Sequence, residues 1–334
     1  MATQESAEAM DRAPARRGIY EPFNAFHQCW YPVSVATDLG PGGVKSMRFC
    51  DSRIVLYRGE DGQVRAMTAR CKHMGADLGL GDVVGDNIRC PFHHWEYGPS
   101  GACVKIPSGD KIPAGTTQLT FPCEEKWGLI WVFLGREPTY AIPDVPDYDP
   151  AKVISRSFEL VLPQPLLVEP WAFSTNLFDF AHFKAVHNWT LSDLKRDFQD
   201  NHMGWEAQVK GVGFMRQDLY GVASVVSYVQ ANSATLPKQH MAGLCPRGSD
   251  GLGIFFTLFA TLADDSAEAH ADAVRRLDEN EALHRRLPNE DLPILNSVEF
   301  GPVRLTEVDQ ELATFLKYVS RYPTTTIKEL EGAR

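Results

Sequence analysis

Two short pairs of cysteine and histidine constrain this chain of 334 residues more than any other feature. Cys71 and His73 form a C-x-H pair, and Cys90 and His93 form a C-x-x-H pair, with sixteen residues between the two pairs. Turn-prone residues follow each pair, in CKHMGADLG and CPFHHWEYGPSG. Two turns that each offer a thiolate and an imidazole can close around one centre. A metal site is therefore the first prediction.

The mixture of ligands separates two kinds of metal centre. Zinc sites with two cysteines and two histidines usually pair like with like along the chain. Here each turn carries one of each, which suits a [2Fe–2S] cluster with two thiolates on one iron and two imidazoles on the other. Imidazole ligands remove negative charge, so such clusters have reduction potentials of about −150 to +300 mV. A zinc knuckle and an incidental set of core side chains are the alternatives.

A second group of candidate ligands lies in NLFDFAHFKAVH. Asp179 and His182 are three residues apart and share a helical face. His182 and His187 are five residues apart, so on an ideal helix they would point about 140° away from each other. Both can reach one ion only if the helix ends or is distorted between them. Two imidazoles and one carboxylate are typical of mononuclear iron sites with open positions.

The rest of the chain has the composition of a folded protein with two domains. Hydrophobic residues make up 44% and charged residues 23%, and the formal net charge of −10 argues against a nucleic-acid binder. No run of eighteen apolar residues is present, so we expect no membrane association and a cytoplasmic location. Residues 1–18 are polar and predict a mobile N-terminal tail.

The pattern along the chain predicts an α+β fold class. Residues 19–145 contain short apolar or alternating segments, among them a hairpin formed by RIVLYRG and VRAMTAR, and they predict an antiparallel all-β domain. The proline-rich stretch REPTYAIPDVPDYDPAK suits a domain connection. Residues 146–334 predict an α+β domain. Its helices are expected in PWAFSTNLFDFAHFKAVH, DSAEAHADAVRRLDENEALHRRL and DQELATFLKYVSRY, and its strands in MGWEAQVKGVGFMRQDLYGVASVVSYVQ and GLGIFFTLFATLAD.

The string CKHMGADLGLGD…CPFHHWEYGPSG resembles the Rieske motif of the Rieske non-haem iron oxygenases. The four candidate ligands match that motif, as does Trp95. Lys72 stands where proline is common and His94 where glycine is common. The resemblance implies that Cys71, His73, Cys90 and His93 bind a Rieske [2Fe–2S] cluster, and that His94 is a neighbour of the cluster with no ligand role.

The segment from Asn176 to His187 resembles the mononuclear-iron motif of the same family, N-x-x-D-x-x-H-x-x-x-x-H. The resemblance implies that His182 and His187 bind iron. Asp179 would bridge to a cluster histidine of the neighbouring subunit, and Asn176 would lie close by in the catalytic site.

The same family takes its third iron ligand from an aspartate far downstream. Three candidates follow at suitable distance, Asp278, Asp291 and Asp309. NEDLPIL resembles the family pattern of acidic residues followed by hydrophobic ones, so Asp291 is the prediction and Asp309 in EVDQEL is the second choice.

Function also follows from this resemblance as an expectation. It implies a Rieske domain followed by a helix-grip-like iron domain, assembled into a homotrimer. The cofactors would be the [2Fe–2S] cluster and mononuclear Fe(II), with O₂ as co-substrate. An external ferredoxin and/or NAD(P)H-dependent flavin reductase would supply electrons. The compact form is similar to the dicamba monooxygenase and 3-ketosteroid 9α-hydroxylase branch.

This branch implies monohydroxylation or O-/N-dealkylation of a small apolar substrate with an aromatic or steroid-like ring. A cis-dihydroxylating dioxygenase is the alternative, followed by an electron carrier without oxygenase activity and by a zinc-binding interaction module. Two side-chain groups are weaker hypotheses. One is pocket lining by Met241, Phe255, Phe256 and Phe259, with a plain core role as the alternative for most of them. The other is a basic collar for ferredoxin docking formed by Arg70, Lys72, Arg89, Lys105 and Lys111, with a scatter of solvated charges as the alternative.

Overall fold

The computed structural model describes residues 24–232, 236–286, 288–298 and 304–332, with the backbone alone at residues 288–291. The tail predicted at residues 1–18 lies outside the described residues. In chain order the strands are β1 (Phe26–His27), β2 (Trp30–Val35), β3 (Val44–Phe49), β4 (Ser52–Arg58), β5 (Val64–Thr68), β6 (Asp82–Val84), β7 (Asn87–Arg89), β8 (Glu96–Tyr97), β9 (Cys103–Lys105), β10 (Thr120–Phe121), β11 (Cys123–Lys126), β12 (Leu129–Phe133), β13 (Val153–Leu160), β14 (Leu191–Gln199), β15 (His202–Val209), β16 (Gly213–Tyr220), β17 (Ser224–Ala231), β18 (Lys238–Pro246), β19 (Leu252–Thr261) and β20 (Thr324–Thr325). The helices are α1 (Pro170–Ser174), α2 (Phe180–Ala185), α3 (Ala267–Arg286), α4 (Pro288–Leu295), α5 (Gln310–Arg321) and α6 (Ile327–Gly332).

Small antiparallel sheets make up the N-terminal part of the chain. The predicted hairpin is confirmed as β4 and β5, which lie in a sheet of order β10-β5-β4-β3. A second sheet has the order β6-β7-β8-β9 and a third the order β11-β12-β2. The first Cys/His turn lies between β5 and β6, and the second lies between β7 and β8. The second sheet therefore holds the two turns next to each other.

A seven-stranded antiparallel sheet of order β13-β19-β18-β17-β16-β15-β14 dominates the C-terminal part. The strands predicted from the sequence are confirmed as β15, β16, β17 and β19. The sequence gives no sign of β14, because LSDLKRDFQ is polar, almost wholly exposed and lies at the edge of the sheet. Residues 134–152 contain neither strand nor helix, and the predicted boundary at residue 145 falls in this segment.

Helices cover one side of the large sheet, which we call the helix face. α2 packs there through Phe183, whose ring centroid lies 5.9 Å from that of Trp205 in β15. α3 packs there through His284, 4.8 Å from Phe256 in β19. The strand register places Trp205 and Phe256 on the same side. The helix of the candidate iron ligands and the long helix α3 thus share one surface.

The opposite side, which we call the strand face, packs on the N-terminal sheets. Thr257 Oγ1 of β19 donates a hydrogen bond to Trp127 O at 2.6 Å. A Cβ atom at Gly243 of β18 would lie 2.4 Å from Pro32 Cγ in β2, so only glycine allows these strands to approach so closely. One continuous apolar core joins the two parts of the chain across this face.

The helices agree with the sequence in position and differ in one detail. α3 and α5 are confirmed, and the buried residues of α3 recur every three or four positions along one stripe from Ala269 to His284. The predicted helix in PWAFSTNLFDFAHFKAVH is instead divided into α1, a 3₁₀ turn at Thr175–Leu177 and α2. In the described part of the chain, no helix has the length and apolarity needed to cross a membrane.

Candidate metal centres

The two Cys/His turns have matching backbone geometry. In the first turn the N–H of Gly75 donates to Cys71 O at 2.8 Å, and in the second the N–H of His94 donates to Cys90 O at 3.1 Å. Gly75 has a φ of 79° and His94 a φ of 56°. Both residues stand four positions after the cysteine, in the left-handed region that favours glycine. His94 therefore holds a turn position, which explains why a glycine would suit it.

The four candidate cluster ligands differ in burial: the two cysteines are buried and the two histidines are exposed. Cys71 and Cys90 are buried at 3% and 1% exposure, and their thiols are in hydrogen-bonding contact. His73 and His93 are exposed, with ring centroids 4.5 Å apart. Two sulfurs inside and two imidazoles outside fit a [2Fe–2S] cluster whose outer iron faces solvent. Burial raises the pKa of the Cys90 thiol, so the charge of the metal is needed to hold it as a thiolate.

Aromatic side chains fix the histidine rings of this site. Trp95 stacks on His73 at 4.5 Å with an interplanar angle of 5°, and Phe92 lies 3.8 Å from His93. Stacking on two separate rings limits the rotation of both imidazoles. The site therefore needs little reorganisation to present its nitrogens to a cluster.

Tyr97 adds a hydrogen bond to the buried end of the site. Its Oη lies 3.2 Å from Cys71 Sγ and accepts the N–H of Lys72 at 3.0 Å, so its own hydrogen can point at the sulfur. Sequence reasoning missed this residue, because a tyrosine in β8 has no spacing signature.

Replacing this tyrosine tests the contact. We expect Tyr97→Phe to keep the cluster and to lower its reduction potential by about 40 mV, since one hydrogen bond of about 1 kcal/mol stabilises the reduced, more negative sulfur. Protein-film voltammetry measures the shift. Tyr57→Phe, which removes a buried hydroxyl elsewhere in the same apolar cluster, is the control. An unchanged potential in Tyr97→Phe would contradict the assignment.

The predicted basic collar is largely neutralised. Three of its five cations form ion pairs, Lys72 with Glu331, Lys105 with Glu96 and Arg89 with Asp82. Three exposed apolar side chains also lie in or soon after the two turns along the chain. Their exposed fractions are 67% for Met74, 79% for Leu80 and 59% for Phe92, and Phe92 contacts His93. Exposed apolar side chains of this kind favour contact with another protein surface more than electrostatic steering.

The second centre depends on where α2 ends. α2 stops at Ala185, so His187 lies beyond the helix and turns back towards His182. Their Nε2 atoms are 3.0 Å apart and their ring planes are inclined by 76°. Two nitrogens that share an ion at about 2.1 Å, with a right angle between the bonds, also lie about 3.0 Å apart. The sequence condition that the helix must end between the histidines is met.

The other predicted residues of the iron motif lie beside these histidines. Asp179 caps α2, with its Oδ1 accepting the N–H of His182 at 3.0 Å. Asn176 lies on the 3₁₀ turn that precedes it. Both line a cavity of about 230 Å³ between α2, α4 and α5. The lining residues are Thr175, Asn176, Asp179, His182, Val186, Ile294, Leu295, Val298, Leu312 and Leu316.

The three candidate carboxylates differ in their surroundings. Asp291 lies in α4, three and four residues before Ile294 and Leu295, which line the cavity. Residues at those spacings share a helix face, so the backbone places Asp291 on the cavity side of α4. Asp309 accepts hydrogen bonds from the N–H and hydroxyl of Thr306 at 2.7 and 2.8 Å. Asp278 pairs with Arg156 at 2.6 Å on α3.

Among the described residues, no three histidine, cysteine, aspartate or glutamate side chains converge on a single ion. The ligand assignments of both centres therefore stay predictions. Each iron of a Rieske cluster takes two protein ligands. In the second centre the two histidines lie close together, and the side chain of Asp291 lies outside the described part of the chain.

Most of the candidates for pocket lining have the core role that was their alternative. Met241 in β18 and Phe255 and Phe259 in β19 all lie on the strand face. Phe259 packs 5.6 Å from Trp127 of the N-terminal part, so it belongs to the core between the two parts. Phe256 alone of the four lies on the helix face.

Comparisons with known proteins agree with this geometry. The Rieske [2Fe–2S] domain model matches residues 29–118. The chain is 30% identical over 196 residues to chlorophyllide a oxygenase, chloroplastic, of Oryza sativa subsp. japonica, covering 57% of this chain and 35% of that protein. It is 33% identical over 169 residues to the toluene-4-sulfonate monooxygenase system iron-sulfur subunit TsaM1 of Comamonas testosteroni, covering 49% and 47%. The chain thus spans half or less of these relatives.

The fold of the whole chain is also known. It matches the crystal structure of dicamba monooxygenase bound to dicamba with a TM-score of 0.65 at 20% identity, over 92% of this chain and 99% of that one. Residues 29–118 are thus a Rieske [2Fe–2S] domain, and the chain as a whole has the fold of dicamba monooxygenase.

Proposed function

We propose that the chain is a terminal oxygenase component that monohydroxylates or O-/N-dealkylates an apolar ring-containing substrate. One observation carries the proposal: a pair of histidine Nε2 atoms 3.0 Å apart stands beside a cavity, in the same chain as the Rieske turns. An electron carrier has no use for such a pair. cis-Dihydroxylation is the second candidate, because the same ligand set supports it.

The proposed iron ligands are His182, His187 and Asp291. An iron held by three protein ligands keeps open positions, and it would supply O₂ activation there. His182 is fixed through its backbone by the Asp179 cap, and His187 by contact with Trp189 at 5.0 Å between ring centroids. Apolar side chains of α4 and α5 line the cavity, and Asn176 offers a neutral amide to it.

We propose an external ferredoxin or flavin reductase as electron donor and a homotrimer as assembly. The name of TsaM1 makes that relative one subunit of a system, which supports a separate donor here. The exposed apolar side chains of Met74, Leu80 and Phe92, in or soon after the two Cys/His turns, support a subunit contact, in which Asp179 would meet a cluster histidine of the neighbouring copy. We keep 19–145 and 146–334 as the proposed domains and the cytoplasm as the proposed location.

A product screen tests the proposal. The purified chain, loaded with both metals, is given a surrogate reductase, NADH and a panel of aromatic and steroid compounds, and products are scored by mass. We expect one added oxygen or one lost alkyl group. Two added oxygens with two added hydrogens would favour cis-dihydroxylation. Reduction of the cluster without any product across the panel would favour the electron carrier.

The bridging role of Asp179 gives a separate prediction. We expect Asp179→Asn to keep cluster and iron, because asparagine caps a helix as well as aspartate does, and to lose turnover by about 10- to 100-fold. Metal analysis and single-turnover kinetics with a pre-reduced cluster measure both effects. Asp197→Asn, on the exposed strand β14, is the control. Full activity in Asp179→Asn would contradict the bridge.

A further inference from the structure

The helix face of the large sheet carries polar side chains in a mostly apolar interior. Gln217, Ser227 and His240 are direct neighbours on β16, β17 and β18. Gln217 Nε2 donates to Ser227 Oγ at 2.7 Å, so these two satisfy each other. Neighbouring strands are about 4.8 Å apart, so the three side chains span about 10 Å. We call them, together with His284 of α3, the polar row.

His240 is the unsatisfied member of the polar row. It is half-buried, and neither ring nitrogen has a hydrogen-bond partner within the part of the chain that the structure describes. Its ring lies 4.5 Å from His284 and 5.9 Å from Phe256. Neither nitrogen is fully buried, so both are open to water or to a bound ligand.

His284 leaves one nitrogen available beside it. Its Nδ1 lies 2.8 Å from the carbonyl oxygen of Asn280. A carbonyl only accepts, so Nδ1 carries the hydrogen and Nε2 is an acceptor. Burial lowers the pKa of His240 and of His284, so both rings are neutral. The pair therefore offers neutral donors and acceptors with no charge.

One end of the polar row lies near α2, the helix that carries His182. Trp205 is the strand neighbour of Gln217, and it contacts Phe183, the residue after His182. A molecule that lies across β16 and β17 would have one end near α2 and the other at the two histidines. The cation in the same row, Arg156, is held by Asp278 and Glu281. Lys238, two residues before His240 on β18, is exposed, and its charge is near enough to lower the pKa of His284.

We infer that His240 and His284 bind a neutral hydrogen-bonding group of the substrate, such as a carbonyl, an amide or a hydroxyl. The substrate class is then a ring compound with such a group at the end distant from the oxidised carbon. Hydrocarbons are disfavoured. Phe256 and Trp205 pack against the apolar remainder. This inference rests on the proposed function, because it takes the ring compound to be the substrate of the iron site.

Binding of three ring probes of similar size tests the inference without turnover. Acetanilide carries a neutral amide, propylbenzene carries no polar group and phenylacetate is an anion. Equilibrium dialysis against the metal-loaded full chain, without oxygen, measures each affinity. We expect acetanilide to bind most tightly. His240→Phe and His284→Phe should each weaken acetanilide by about five- to tenfold and change propylbenzene less than twofold, since each removes one hydrogen bond and keeps the ring.

Two further variants complete the design. His240→Gln should recover much of the acetanilide affinity, because an amide also donates and accepts. His270→Phe, on the exposed side of α3, should change nothing. The inference fails if the wild-type chain does not prefer acetanilide, or if both phenylalanine variants weaken all probes equally. Product formation from the same probes is scored separately. If binding follows the expected pattern and no product forms, the proposed function is contradicted and the inferred binding role of the two histidines is not.

Discussion

We expect His93→Ala to lose the visible absorption of the Rieske cluster and His94→Gly to keep it. The ring of His93 lies 4.5 Å from that of His73 on the outer side of the two buried thiols, so its loss leaves the outer iron with one protein ligand. His94 supplies a left-handed turn position, and glycine adopts φ near 56° without strain. Visible absorption, with iron and sulfide content of protein purified without oxygen, measures both variants.

His94→Ala separates a turn effect from a ligand effect. Alanine at a positive φ costs about 1–2 kcal/mol relative to glycine, so His94→Ala should unfold at a lower temperature than His94→Gly and show the same spectrum. A bleached His94→Gly protein would make His94 a ligand and overturn the C-x-x-H assignment.

The cluster site is readable from the sequence because its geometry is local. Each turn spans six residues or fewer, and the hydrogen bond from Gly75 or His94 back to its cysteine fixes where the side chains point. The spacing of the ligands along the chain therefore predicts how they are arranged in space. The same reasoning works for His182 and His187, where five residues of separation require the helix end that the structure has.

The residues on the helix face of the large sheet could not be predicted in this way. β19 is buried at nine of its ten positions, so LGIFFTLFAT shows no alternation of polar and apolar residues. A strand buried on both faces gives no sign of which face meets the helices. Phe255 and Phe256 look equivalent in the sequence, and only pairing with β18 and β13 assigns them to opposite sides.

Contacts between residues that lie far apart in the sequence could not be predicted either. His240 and His284 are 44 residues apart and meet only because α3 folds back over β18. Tyr97 and Cys71 meet because β8 passes beneath the first turn. A single carboxylate such as Asp291 has no spacing of its own, so the sequence left three candidates. Asp278 pairs with Arg156 and Asp309 accepts from Thr306, and the choice of Asp291 stays a prediction.

The choice between Asp291 and Asp309 leads to the second large effect. We expect Asp291→Ala to lower the iron content from about three to about two atoms per chain, because two imidazoles without the carboxylate hold a mononuclear iron poorly. The cluster spectrum should stay unchanged and product formation should cease. Iron analysis, sulfide analysis and visible absorption on the same sample measure the change.

Asp309→Ala is the matched control. Its Oδ2 closes a capping box with Thr306 before α5, so its loss should cost about 1 kcal/mol of stability and lower the melting temperature, with iron still near three per chain. The two variants thus move different observables: iron content for Asp291 and thermal stability for Asp309. If Asp309→Ala lost the third iron and Asp291→Ala kept it, the capping box would have to open in the iron-bound protein and the proposed ligand would be exchanged. If both variants kept three irons, the third ligand would lie elsewhere in the chain and α4 would serve only to close the cavity.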